Sequence, residues 1–351
     1  MQADWITDTT RPIDVICMGR VAVDLYAEQI GATLEDAQTF RKYLGGCAGN
    51  IAVGSARLGL KTAMFSCVGT DAMGNFLKQE LQRESVDITL VSESSQHLTG
   101  LVLLGVNPPD RFPLIFYREN CADMQLQQSN VDVDFIARSK ALLITGTGLS
   151  TAAMRSTTHH AVNSAKSVQT RVIFDLDYRP VLWKLTDQGD GETRFKTSDI
   201  VSQHYHAMLP KCDLIVGTEE EVMIAGRNDN IHAALNTIRT MTPAPIVCKL
   251  GAKGCNIYLD NMSSPISATA FPVEILNVLG AGDAFISGFM RGLLRGETWE
   301  TCAQFGNASG AIVVGRHGCA PAMPYFEEML AFIDNYKKRG NHHVGILAAQ
   351  A

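Results

Sequence analysis

Asn277-Val278-Leu279-Gly280-Ala281-Gly282-Asp283-Ala284-Phe285 is a run of small residues closing on one carboxylate. The stretch after it, Ala284-Phe285-Ile286-Ser287-Gly288-Phe289-Met290, has the composition of an apolar helix. A turn at a helix start leaves backbone N–H groups bare and sits at the positive end of the helix dipole, which together form an anion site. Asp283 at the mouth of such a site is placed to take a proton from a hydroxyl. The amides of Gly280, Ala281 and Gly282 would then hold developing phosphoryl charge. Taken alone, the run reads equally well as a Gly-rich loop with an Asp at the helix start.

A second Gly-rich stretch, Gly45-Gly46-Cys47-Ala48-Gly49-Asn50-Ile51-Ala52, is followed by Gly59 and Gly69. This spacing resembles the N-terminal signature of the ribokinase-like carbohydrate kinases, and Asn277–Met290 resembles their C-terminal signature. The two lie more than 200 residues apart and in the family's order. The resemblance runs from about Asp14 to Tyr336. It implies a three-layer α/β/α sandwich with a mostly parallel central sheet, and one kinase domain over residues 12–337. A small β lid is implied in segments of about 25–43 and 100–118. Residues 338–351, with Arg339-Gly340-Asn341 among them, read as a loosely ordered tail.

The bulk properties fit that outline. A chain of 351 residues, 46% hydrophobic and 19% charged, can bury a large core. A net charge of -6 argues against nucleic acid or an anionic membrane as the main partner. Met1–Thr10 has neither a basic region nor an apolar run, so no secretory signal is expected, and no apolar run is long enough for a membrane span. The nine cysteines form no C-x-x-C pair, and Cys17, Cys67 and Cys248 sit in strand-like runs; reduced core thiols of a cytoplasmic protein are the expectation. The histidines show no metal-ligand spacing, and the pairs His159-His160 and His342-His343 read as solvent-exposed.

Short apolar runs alternate with segments of helical spacing. Val15–Met18, Ala63–Val68, Ala141–Thr145, Val172–Asp175, Asp213–Val216 and Ile246–Leu250 read as buried strands, with helices over Ala48–Leu58 and Gly74–Arg83. Such alternation implies a parallel sheet covered on both faces, with ligands outside the carboxyl ends of the strands. Gly19, Gly146, Asp175, Gly217 and Gly251 fall at or just after those ends. Leu25–Tyr43 and Gly100–Arg118, the latter broken by Pro108-Pro109 and Pro113, would be loops without the resemblance.

The resemblance also implies roles for single residues. Asp283 is the base for a primary hydroxyl. Asp24, Asn50 and the Gly45 and Gly46 amides hold the sugar. Lys249, Gly251 and Gly254 form the purine-flanking loop, and Asn307 lies beside the adenine, where a buried helix Asn satisfied by backbone is the competing account. Glu221 organises magnesium through water; its family motif N-x-x-E here has Thr218 for Asn, and an acidic helix start is the plainer alternative. ATP and Mg2+ are therefore the implied cofactors, with a monovalent cation as a further candidate. Dimerisation through the lid is a candidate assembly, supported by exposed-looking Phe112 and Ile115. Asp14, before its strand, reads as merely solvated.

Two arginines bear on the substrate. Arg118 ends Phe116-Tyr117-Arg118, and Arg179 lies in Asp175-Leu176-Asp177-Tyr178-Arg179-Pro180. A neutral sugar needs no cation, whereas a sugar acid does, and Arg binds carboxylates bidentately. A structural salt bridge from Arg179 to Asp175 or Asp177 is the alternative. Both stretches resemble family members that phosphorylate keto-deoxy sugar acids, and the wording is most like those acting on 5-dehydro-2-deoxygluconate in inositol catabolism. The 2-dehydro-3-deoxy isomer is the sister reading. A fructose- or nucleoside-directed kinase would keep Asp283 without needing the arginines, and a non-catalytic sensor would lack the base or the turn.

Overall fold

The computed structural model describes Trp5, residues 10–259 and residues 264–348, with side chains as far as residue 338. The strands are β1 (Ile13–Met18), β2 (Ala22–Ala27), β3 (Phe40–Gly45), β4 (Thr62–Gly69), β5 (Val91–Ser94), β6 (Leu101–Leu104), β7 (Leu114–Tyr117), β8 (Ser139–Thr145), β9 (Arg171–Asp175), β10 (Leu214–Thr218), β11 (Ile246–Lys249), β12 (Cys255–Tyr258) and β13 (Ile266–Ala268). The helices are α1 (Cys47–Arg57), α2 (Ala72–Arg83), α3 (Val133–Ala137), α4 (Ala152–Ser167), α5 (Asp199–Met208), α6 (Glu219–Ala225), α7 (Ile231–Arg239), α8 (Ala281–Leu293), α9 (Trp299–Val314) and α10 (Phe326–Ala348).

Nine strands form the main sheet in the order β13-β12-β11-β10-β9-β8-β1-β4-β5. It is parallel from β5 to β11, and β12 and β13 add an antiparallel edge. Alternate residues of each strand enter different cores, as the pleat requires. Val15, Cys17, Leu143, Ile173 and Val216 face α1 and α8, where they meet Ile51, Ile286 and Phe289. Ile16, Met18, Leu142, Ile144, Phe174 and Ile215 face the opposite layer, with Met154, Val201, Val222 and Ile238 of α4 to α7. Two apolar faces on one sheet explain the continuous hydrophobic runs in the sequence.

The segments before Gly46 and after Gly100 build a second sheet, β3-β2-β6-β7. Its inner side (Tyr26, Val102, Leu104, Phe112, Leu114) packs on Leu279 and Cys319 of the main body. Phe112 is thus buried in the lid core, contrary to the exposed position expected for it, and Ile115 is only half-buried. Tyr117 and Ile30 are the large apolar side chains the lid does expose.

Other expectations change as well. The tail is helical in its backbone, because α10 runs on to Ala348; residues 349–351 and the side chains of His342 and His343 lie outside the described residues. His160 is exposed and His159 half-buried. All nine cysteines are free and buried. Among the described residues no helix is long and apolar enough to cross a membrane.

Asp14 is not solvated. It lies in β1, 3% exposed, and its carboxylate accepts from Arg295 (2.7 and 2.9 Å), Lys140 (2.8 Å) and the Lys61 N–H (2.8 Å). Burial alone would raise its pKa, but Arg295 and Lys140 outweigh that and hold it below its ordinary 3.8. A depressed carboxyl stabilises the fold above its unfolded pKa and loses that stabilisation as pH falls through the folded value. We expect Asp14→Asn to lower stability by about 2 kcal/mol at neutral pH. In urea titrations the gap from the parent should close as pH is lowered below 3.8. A neutral-pH midpoint equal to the parent's would contradict this role.

Candidate active site

The carboxyl ends of the parallel strands open into one cleft. Arg20 follows β1, Asp175 ends β9, Thr218 ends β10 and Lys249 ends β11, and all four line a cavity of about 660 Å³ beneath the lid. A second cavity of about 570 Å³ lies beside it, walled by Phe271, Ile275, Phe285 and Ala311. Thr218, Lys249, Gly251, Val278 and Gly282 line both, so the two cavities meet at the start of α8.

That start is built by local chemistry. Asn277, fully buried, accepts from the Leu279 N–H at 3.0 Å and donates to the Gly318 carbonyl at 3.3 Å, which fixes the turn. Gly280 then takes φ +83°, and a Cβ there would lie 2.1 Å from Cys319 Sγ, so glycine is required twice over. No side chain caps α8. The Ala281 N–H turns back to the Val278 carbonyl at 3.3 Å, so of the three expected anion donors it is already engaged. Lys249 Nζ would stand 3.4 Å from a Cβ on Gly282, which puts an ammonium beside the helix dipole.

Asp283 lies in the first turn of α8, half-buried, on the wall of the larger cavity. Asn50 Nδ2, from α1, donates to its Oδ2 at 2.8 Å. Asn50 therefore orients the candidate base, a closer tie than the sugar-holding role expected of it. Burial and the nearby Asp177 carboxylate raise the Asp283 pKa, while Asn50 and Arg179 pull it back. Asp24 projects from β2 into the same cavity, its carboxyl pushed up to about 7 by burial against the pull of Arg20 and Arg118. A Cβ on Gly45 would sit 2.0 Å from Asp24 Cγ, so the first signature glycine makes room for this carboxylate. Gly46 lines the cavity as the residue before α1.

The cation positions differ from the sequence reading. Arg118 is buried and paired with Asp123, and it does not line the cavity. Arg179 does line it, yet also forms the alternative salt bridge, to Asp177 (3.2 Å), and a further one to Glu221 (3.8 Å). Arg20, overlooked although it directly follows Gly19 at a strand end, reaches Asp177 at 3.2 Å and Thr147 Oγ1 at 3.1 Å. Burial opposes the Asp177 charge, but Arg179 and Arg20 overcome it and hold that carboxyl far below its ordinary range. Asp175 pairs with Lys249 at 3.4 Å; burial nonetheless raises it to about 7. Arg194 is a fourth basic side chain on this wall, from a stretch with no periodicity to mark it.

Glu221 closes a capping box on α6: its Oε2 accepts from the Thr218 N–H at 2.8 Å, and Thr218 Oγ1 from the Glu221 N–H at 3.2 Å. Its Oε1 accepts from Tyr178 N–H at 2.9 Å. Thr218 thus performs the cap that Asn would. Each Glu221 oxygen keeps a lone pair, and Glu220 and Asp177 also line the cavity, an oxygen-rich set that fits a hydrated Mg2+. Among the described residues Cys47, Asp175 and Asp283 also cluster within 4.8 Å, but a buried protonated thiol is a poor ligand for that ion. In the second cavity Gly251 and Gly254 form a closed turn at φ +57° and +99°. Asn307 lines the same cavity, but its amide donates to the Ala268 and Thr269 carbonyls at 3.1 Å each; it holds the wall together, as the competing account has it.

Residues 13–325 match the model of the pfkB family carbohydrate kinases. The chain is 34% identical over 334 residues to 5-dehydro-2-deoxygluconokinase of Geobacillus kaustophilus, covering 94% of this chain and 96% of the relative. The enzyme of that name from Bacillus subtilis is 32% identical, with 92% and 97% covered. Among solved structures, a Vibrio cholerae fructokinase bound to fructose, ADP and calcium superposes with a TM-score of 0.77 at 25% identity, over 93% of this chain and 99% of that one. A Xylella fastidiosa fructokinase with bound ATP gives 0.79 at 20% identity, over 92% and 99%.

Removing the Asn50 amide takes from Asp283 a donor that favours its charged form. Asn50→Ala should therefore move the Asp283 carboxyl titration to higher pH, read by carboxyl-carbon NMR. An unmoved titration would show that the 2.8 Å contact does not tune this group.

Proposed function

The chain belongs to the pfkB family of carbohydrate kinases, and we propose that it transfers the γ-phosphoryl group of ATP to the C6 hydroxyl of 5-dehydro-2-deoxy-D-gluconate, in inositol breakdown. The observation that carries this reading is an acceptor cavity holding Asp283 together with Arg20, Arg179 and Arg194, in a chain whose relatives at 32–34% identity bear that enzyme's name. A linear six-carbon acid has a carboxylate at one end and a primary hydroxyl at the other. With the carboxylate among the arginines, the hydroxyl is directed to Asp283.

The chemistry follows from placement. ATP occupies the apolar second cavity, with the purine between the Gly251–Gly254 turn and the wall that Asn307 holds. Its phosphates run past Lys249 to the start of α8, where the Gly280 and Gly282 amides and the dipole meet the transferring group. Mg2+, held through Glu221 and water, would neutralise phosphate charge. Asp283, fixed by Asn50, takes the hydroxyl proton as the oxygen attacks phosphorus and ADP leaves. Asp24 accepts from acceptor hydroxyls and sets the reach. Nine buried free thiols and dependence on ATP fit the cytoplasm.

Asp283→Asn should lower kcat by about two to four orders of magnitude while the acid still binds, measured by coupled ADP release and calorimetry. Near-normal turnover would remove Asp283 from the role of base. Initial rates on the 5-dehydro-2-deoxy and 2-dehydro-3-deoxy isomers, with phosphorus NMR of the products, decide the substrate. Higher efficiency on the 2-dehydro isomer would overturn the substrate and keep the sugar-acid kinase. Equal use of fructose would overturn the acid.

A further inference from the structure

We propose that Arg194 is a specificity-determining ligand for the acceptor's carboxylate, presented by a strap of residues 186–197 that rests on lid strand β7. The inference rests on the sugar-acid reading above and assigns it a particular side chain.

The other cations of the cavity are already paired. Arg20 and Arg179 share Asp177, each at 3.2 Å, Arg179 also faces Glu221, and Lys249 faces Asp175. Arg194 makes no ion pair or hydrogen bond with any described residue, although it lies on the cavity wall, where it is exposed to the open cleft. A guanidinium on the cavity wall with no carboxylate partner among the described residues is free to receive an arriving anion, and its planar fork suits a carboxylate.

Position separates the carboxylate from the phosphates of ATP. Lys249, Gly251 and Gly282 line both cavities, as a phosphate path requires, whereas Arg194 lines the acceptor cavity and not the nucleotide cavity.

The strap is fixed on both sides of Arg194. Three residues before it, the Gly191 N–H donates to the Leu114 carbonyl of β7 at 3.1 Å. Two residues after it, the Lys196 carbonyl accepts from Tyr178 Oη at 2.6 Å. Asp190, just before Gly191, accepts from Thr193 N–H and Oγ1 at 3.0 and 2.6 Å. A Cβ on Gly191 would fall 2.3 Å from the Leu114 oxygen, so only glycine allows this approach to the lid.

Arg194→Gln, Arg194→Lys and Gly191→Ala test the proposal, with steady-state kinetics on the acid and calorimetry on the acid and its uncharged amide. Arg194→Gln should raise KM for the acid about ten- to hundredfold and leave KM for ATP and binding of the amide unchanged. Arg194→Lys should recover part of the loss. Gly191→Ala should raise the same KM with the arginine present. An unchanged KM for the acid in Arg194→Gln, or an equal loss for acid and amide, overturns the proposal. A parent enzyme that uses no sugar acid overturns the sugar-acid reading and this one together; a parent that requires the acid beside an unaffected Arg194→Gln overturns only this one.

Discussion

The hydrogen bond from Asn50 to Asp283 joins the two signature stretches of the chain. It ties α1 to the first turn of α8, at the point where acceptor and nucleotide cavities meet. Much of the local sequence serves that junction. Only glycine fits at position 280, because Cys319 Sγ occupies the space a side chain would need, and Asn277 fixes the turn before it. Gly288 and Gly292 let α8 lie close on α9, since a Cβ at Gly288 would stand 2.4 Å from the Phe305 carbonyl.

The second constraint is electrostatic. Six carboxylates (Asp24, Asp175, Asp177, Glu220, Glu221 and Asp283) line the larger cavity with four cations. Burial raises Asp24 and Asp175 to about 7 and raises Asp283 as well, whereas two arginines keep Asp177 charged. The cleft therefore divides its charges instead of averaging them. Carboxyls that burial pushes towards their neutral form share the cavity wall with one that two arginines keep charged.

The fold was legible because strands buried on both faces leave uninterrupted apolar runs and because Gly19, Gly146, Asp175, Gly217 and Gly251 mark where several of them end. The Gly-rich turn marked Gly280 and Asp283, whereas Asp24 and Asn50 were implied by the family resemblance. Sequence reading failed where pairing is set by distant segments. Asp14 looked solvated because Lys140 and Arg295, its partners, are far along the chain. Arg118 looked available because nothing in its spacing announces Asp123 as a buried partner. Phe112 looked exposed because it stands between Arg111 and Pro113, before β7, and only the folded lid turns it inward. Arg194 carries no local signal: its stretch is polar, aperiodic and Gly-containing, and it gains meaning only from where Gly191 and Lys196 pin it.

On this reading one cleft aligns an anionic acceptor between a cationic wall and the start of α8. The most direct measurement is a crystal structure of the complex with a non-hydrolysable ATP analogue, Mg2+ and 5-dehydro-2-deoxygluconate. The carboxylate should lie on Arg179 and Arg194, the C6 hydroxyl within hydrogen-bond reach of Asp283, and the terminal phosphate against the Gly280 and Gly282 amides. A carboxylate seated at the α8 turn, or a C6 hydroxyl turned away from Asp283, would contradict it.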